Sequence, residues 1–85
     1  MSLKLVLSDG NTVVVEPSPY GLRIKESTYD WLRPPKLSAY YIDDSCLEGG
    51  KIKMTEFDTD AKGQHVGPGT RSGSERSILN HTEVG

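Results

Sequence analysis

Leucine and valine concentrate in two short runs near the start of the chain, residues 3–7 and 12–16, separated by Ser8-Asp9-Gly10-Asn11. Asp-Gly favours a two-residue hairpin turn of type I′, whose two central positions need positive φ. The expected element is an antiparallel hairpin with Asp9 and Gly10 at its tip. A two-residue turn also predicts the register: Leu7 opposite Thr12, Val6 opposite Val13, Leu5 opposite Val14, and Lys4 opposite Val15. One face then carries Leu3, Leu5, Leu7 and Val14. The other carries Val6, Val13 and Val15 around Lys4. A hairpin with one wet face alternates more cleanly than this, so the second face is expected to be covered by the rest of the chain or by a partner.

Further along, residues 16–21 hold Pro17, Pro19 and Gly21 and read as a connection. Leu22 and Ile24 alternate with Arg23 and Lys25, which predicts a short strand. Ser27-x-x-Asp30 resembles a helix N-cap with an acid in the first turn. It predicts one helical turn through Tyr29, Trp31 and Leu32, ended by Pro34-Pro35. Residues 37–43 and 51–57 are the next strand candidates, joined as a hairpin through 44–50 with Gly49-Gly50 at its end. The expected fold is mainly β: a small antiparallel barrel or sandwich of about five short strands, with one short helical turn.

Composition then divides the 85-residue chain. Of residues 1–60, 24 are apolar, against five of residues 61–85, which also hold five of the nine glycines. So polar a segment buries too little surface to offset its own ordering entropy. The expectation is a small β domain at 1–60 and a Gly/Ser-rich docking arm at 61–85. A domain near 60 residues is marginally stable alone, and oligomerisation or docking would remedy that.

Charge narrows the function classes. The net charge is −2, which argues against a nonspecific nucleic-acid binder built on excess Lys and Arg. No apolar run reaches the roughly 18 residues of a membrane span. The first residues lack the pattern of a classical signal peptide, so a cytoplasmic or virion location is expected. Cys46, the single cysteine, leaves no internal disulfide framework.

Candidate chemistry is thin. Asp58-x-Asp60-x-Lys62-Gly63 begins like a calcium loop but places Lys62 and Gly69 where oxygen ligands are needed. The run Gly67-Pro68-Gly69-Thr70-Arg71-Ser72-Gly73 resembles a phosphate cradle but has neither the dinucleotide glycines nor a Gly-Lys-Ser/Thr triplet. Cys46 sits among Asp43, Asp44 and Glu48, which disfavour a reactive thiolate. His65 and His81 show no metal-ligand spacing. Asn80-His81-Thr82 is a chance glycosylation sequon in this context. No catalytic, metal or cofactor residue is expected, and neither is a small-molecule substrate.

Two surfaces remain as candidates. Val6, Val13, Val15, Arg71, Arg76, Ile78 and Leu79 form the expected protein-partner interface, with Ile78 and Leu79 anchoring the arm. Arg23, Lys25, Trp31, Arg33, Lys36 and Tyr40 interleave basic and aromatic groups, as single-strand nucleic-acid platforms do. The function expected is a non-enzymatic structural or interaction protein, most concretely an accessory subunit of a large assembly such as a viral capsid or tail. The alternatives are a small inhibitor or adaptor of one cellular protein, and a single-strand nucleic-acid module.

Overall fold

The computed structural model describes residues 1–59, 64–72 and 75–84, with side chains assigned outside Thr59 and the strand at 65–72. The first hairpin joins β1 (Ser2–Leu7) to β2 (Thr12–Ser18). Its register is Leu3 with Val15, Lys4 with Val14, Leu5 with Val13, and Val6 with Thr12. The turn is one residue longer than a two-residue type I′ loop. The Leu7 N–H donates to the Asn11 carbonyl and the Gly10 N–H donates to the Leu7 carbonyl. Only Gly10 takes positive φ, at 87°, while Asp9 does not. This is the three-residue hairpin geometry, a turn closed by one left-handed glycine.

That single step of register moves a whole set of side chains between faces. Leu5, Leu7, Val13 and Val15 now share one face, and all four are fully buried. Lys4, Val6, Thr12 and Val14 share the other face, and none of these four is buried. The hairpin is therefore amphipathic, and no second apolar face needs covering. Val13 and Val15, expected at a partner interface, belong to the core.

Among the described residues, eight strands form one antiparallel sheet in the order β5-β8-β1-β2-β3-β4-β6-β7. After β2 come β3 (Gly21–Ser27), β4 (Tyr40–Ile42), β5 (Lys51–Ile52), β6 (Met54–Thr59), β7 (His65–Ser72) and β8 (Arg76–Val84). The mainly β antiparallel fold expected from the sequence is observed, with more strands than the five anticipated. The 51–57 strand breaks at Lys53. Its first piece, β5, pairs with β8, while its second piece, β6, pairs with β4. Adjacent pieces of chain thus lie at one end of the strand order and next to the other end, so the sheet curls back on itself without closing as a barrel. Bulges at Val14/Val15 and Val6/Leu7 assist the curl.

The helical turn expected at 29–32 does not form. The Ser27 hydroxyl accepts the Tyr29 N–H at 3.0 Å, a local turn that competes with a helix. Leu32 drops from this loop into the core and is fully buried. The helical turns lie elsewhere: a 3-10 turn at Lys36–Ala39 and a single turn α1 (Cys46–Gly49). The core combines the β1–β2 face with Leu22, Ile24, Tyr29, Leu32, Ile42, Ile52 and Met54.

The largest departure concerns the C-terminal segment. Residues 76–84 form strand β8, paired with β1 from Ser2–Val84 to Leu7–Ile78. They are part of the sheet and not an arm appended to it. The composition argument misled because most of β8 needs no core: Ile78 packs against the core while residues 79–83 are exposed. Backbone pairing to β1 supplies the rest. Residues 60–63, 73–74 and 85, which include part of the expected arm and part of the calcium-like run, lie outside the described residues.

At the start of β3, Gly21 adopts φ +108°, and a Cβ built there would meet the Ile42 carbonyl oxygen at 2.7 Å. Gly49 has open space around it. We expect Gly21→Ala to cost roughly 1–3 kcal/mol, from backbone strain plus displacement of β4. Gly49→Ala, inside α1, should leave stability unchanged or slightly raised. Urea denaturation of the two variants beside the parent checks this, and equal loss at both positions would contradict it.

Candidate functional site

Asp9, at the tip of the first hairpin, accepts three hydrogen bonds through its carboxylate. Its Oδ1 accepts the Asn11 N–H at 3.0 Å. Its Oδ2 accepts the Tyr29 hydroxyl at 2.7 Å and the Arg76 Nε–H at 3.1 Å. The Arg76 guanidinium also lies 5.2 Å from the centre of the Tyr29 ring, within cation–π range. Three separate stretches meet here: the β1–β2 turn, the loop after β3, and the start of β8. Backbone contacts reinforce the junction, with the Ser8 N–H donating to the Ser77 carbonyl and the Thr28 N–H to the Thr12 carbonyl. The Thr28 hydroxyl donates to Asn11 Oδ1 at 2.9 Å and accepts the Thr12 N–H at 2.8 Å.

This geometry sets the ionisation of both groups. The Tyr29 hydroxyl bond, then the Asn11 N–H, hold the Asp9 carboxyl below its ordinary value of 3.8. Burial, then the bond to Asp9, push the Tyr29 phenol well above its ordinary 10.0. The cluster fastens the β1–β2 turn, the loop after β3 and the start of β8 to one another.

Beside Tyr29 the loop exposes Trp31. Its ring centre lies 5.6 Å from Tyr29 and 5.5 Å from Tyr40, the latter edge-on at 67°. Trp31 remains 44% exposed. The sequence-predicted nucleic-acid residues are only partly brought together here. Trp31 and Tyr40 meet, but Arg23 and Lys25 sit on β3, where both pair with Glu16. Arg33 pairs with Asp30 at 2.8 Å in the open, and Lys36 is exposed on the 3-10 turn. The expected basic stripe is thus divided, and three of its four cations face carboxylates.

The predicted partner interface is likewise dispersed. Val13 and Val15 are core, and Val6 is half-buried on the opposite face of β1. Arg76 is committed to Asp9. Ile78 packs inward, whereas Leu79 is 68% exposed. Leu79 stands out because it is the extra residue of the β1–β8 bulge, between Asn80 opposite Val6 and Ile78 opposite Leu7. Arg71 lies opposite Glu56 in β7, and its side chain is outside those described.

A second aromatic cluster went unread in the sequence. Tyr20, Tyr41 and Phe57 sit with ring centres 5.2–5.6 Å apart, separate from the main core. Tyr41 is 5% exposed, and its hydroxyl donates to the Ser38 carbonyl at 3.0 Å. Burial pushes the Tyr41 phenol up, opposed by the nearby Arg23 charge. Asp43 Oδ1 accepts both the N–H and the hydroxyl of Ser45. Those bonds lower its carboxyl from the ordinary range and start the turn into α1. Among the described residues no group of three or more His, Cys, Asp and Glu side chains is placed to hold a metal ion, and no helix is long and apolar enough to cross a membrane. No family model, curated protein or solved structure matches the chain.

The clamp makes stability depend on pH at both ends. A depressed Asp9 carboxyl contributes stability above its unfolded value near 3.8, lost as pH falls through the lower folded value. A raised Tyr29 phenol contributes stability below its unfolded value near 10.0, lost as pH rises beyond it. Tyr29→Phe should weaken both dependences together, because its hydroxyl is the leading cause of the Asp9 shift. Asp9→Asn should remove the acid limb and reduce the alkaline one. Chemical denaturation between pH 2.5 and 11 reads this, using ordinary values that straddle both limbs. Unchanged profiles in Tyr29→Phe would contradict the clamp.

Proposed function

We propose that the chain is a non-enzymatic interaction protein, an accessory subunit of a larger assembly, that docks on a protein partner through the Tyr29–Trp31–Tyr40 surface. The observation that carries this reading is a tryptophan 44% exposed whose ring is nonetheless fixed between two tyrosines. Exposing Trp to water is costly, and Trp, Tyr and Arg dominate the energetic centres of interfaces. A ring already held in place loses little conformational entropy on contact. Tyr29 is itself tied to Asp9, so the platform rests on the clamp and not on a loose loop. The three donors gathered on Asp9 support a fastening role for this cluster.

Protein partners are favoured over single-stranded nucleic acid for an electrostatic reason. Stacking on Trp31 and Tyr40 would need cations along the strand path, and Arg23, Lys25 and Arg33 are paired with carboxylates. An adaptor or inhibitor acting on one protein would use the same ring surface. Stoichiometry separates it from an assembly subunit, which enters in many copies.

Trp31 is the only tryptophan, so its fluorescence reports the contact directly. Its emission should shift to the blue when the protein enters its native complex. Trp31→Ala should keep the circular dichroism of the parent and weaken binding by about 2 kcal/mol, roughly 30-fold. Cys46→Ser should bind as the parent does. Unshifted Trp31 emission in the assembled state would overturn the reading, and a shift produced by single-stranded oligonucleotides alone would favour the nucleic-acid alternative.

A further inference from the structure

The two outer strands of the sheet are protected very differently. At one end β7 carries Pro68 between Gly67 and Gly69, and a proline without an N–H blocks strand addition. At the other end β8 is covered only at its start. Lys51 and Ile52 pair with Ser77 and Arg76, and the Ile78 N–H donates to the Gly50 carbonyl. Beyond Ile78, residues 80–84 pair with β1 on one side, Leu79 being the bulged residue, and among the described residues no strand pairs with the other side of this stretch. This stretch reads Leu-Asn-His-Thr-Glu-Val. It has neither Pro nor Lys; its edge features are the bulge at Leu79 and the single charge of Glu83. At about 3.3 Å per residue it presents roughly 20 Å of edge backbone.

We infer that this edge pairs antiparallel with the same edge of a second copy of the chain, about a two-fold axis through Thr82. The sequence of the edge is what selects a second copy. A continuous antiparallel sheet built on a two-fold axis must oppose residues that share a face. An axis at Thr82 then sets Thr82 against Thr82, His81 against Glu83 and Asn80 against Val84. Thr–Thr pairs and His–Glu pairs are favourable cross-strand neighbours, and the two-fold repeats the His–Glu contact. An axis at His81 would oppose Leu79 to Glu83, an apolar group to a charge. An axis at Asn80 would drive Ile78 of one chain onto Thr82 of the other, at the position where Gly50 already binds. The axis at Thr82 clears β5 and places neither an apolar group against a charge nor two like charges together, with Asn80 against Val84 as its one mixed pair. The resulting contact joins two curled sheets through β8, and it is isologous, so it closes as a dimer.

This pairing deepens the assembly reading, yet it does not use Trp31, so the two can fail separately. Sedimentation of the full-length chain over a concentration series should show a reversible monomer–dimer equilibrium. In a Cys46→Ser background, Thr82→Cys should form a disulfide-linked dimer under mild oxidation, because the two-fold places the thiols directly opposite each other. Ser77→Cys, on the stretch covered by β5, should form no disulfide-linked dimer under the same treatment. Trp31→Ala should dimerise as the parent does. A chain that stays monomeric throughout the series, or a dimer in which Thr82→Cys crosslinks no faster than Ser77→Cys, overturns the inference. A dimer lost in Trp31→Ala would move the self-contact to the aromatic platform and overturn it equally.

Discussion

The carboxylate of Asp9 is the point on which the architecture depends. Strand β8 joins the sheet across nearly the whole length of the chain, and most of its side chains contribute nothing to the core. Its entry is secured by Arg76 on Asp9, by Ile78 packed inward, and by the Ser8–Ser77 backbone bond. Asp9 is positioned for this by its own hairpin: the Asn11 N–H orients Oδ1, leaving Oδ2 for Tyr29 and Arg76. The same bond to Tyr29 settles the loop that carries Trp31. One side chain therefore fixes both the edge strand and the aromatic platform.

Much of this was legible in the sequence, and the failures have physical causes. The Asp9-Gly10 tip and the apolar runs beside it announced the hairpin, because turn chemistry and alternation agreed. The turn type did not follow, since Asp-Gly is compatible with a loop one residue longer in which only Gly10 needs positive φ. That one residue produced the false two-sided apolar hairpin and, with it, the assignment of Val13 and Val15 to an interface. Alternation itself held the remedy: the shifted register puts every leucine and the two deepest valines on one face. The strand β8 was hidden for a different reason. A strand that buries only Ile78 looks, by composition, like a solvated tail. Its long-range pairing to β1 leaves no mark in local periodicity, and neither does the clamp between Asp9 and Arg76.

The candidate surfaces follow the same logic. Basic and aromatic residues close in sequence suggested one stripe between positions 20 and 41. In the fold, β3 turns Arg23 and Lys25 toward Glu16, while Trp31 and Tyr40 meet on the loop and the following strand. Tyr20, Tyr41 and Phe57, drawn from three elements, form a separate cluster. Sequence proximity predicted composition well and neighbourhood poorly, because a curled sheet reassigns neighbours by register.

The claim at the centre of this account is that residues 76–84 are a structural strand held by β1 at one side and, beyond Ile78, open at the other. Amide hydrogen exchange on the dilute full-length chain tests it residue by residue. Amides of β8 that point toward β1 should exchange slowly, on the timescale of the β1 and β2 amides. Those pointing away beyond Ile78 should exchange fast, giving an alternating pattern along the strand. Replacing Asp9 by Ala should accelerate the slow set selectively. Uniformly fast exchange from 76 to 84 in the parent chain would show a free tail and contradict the account.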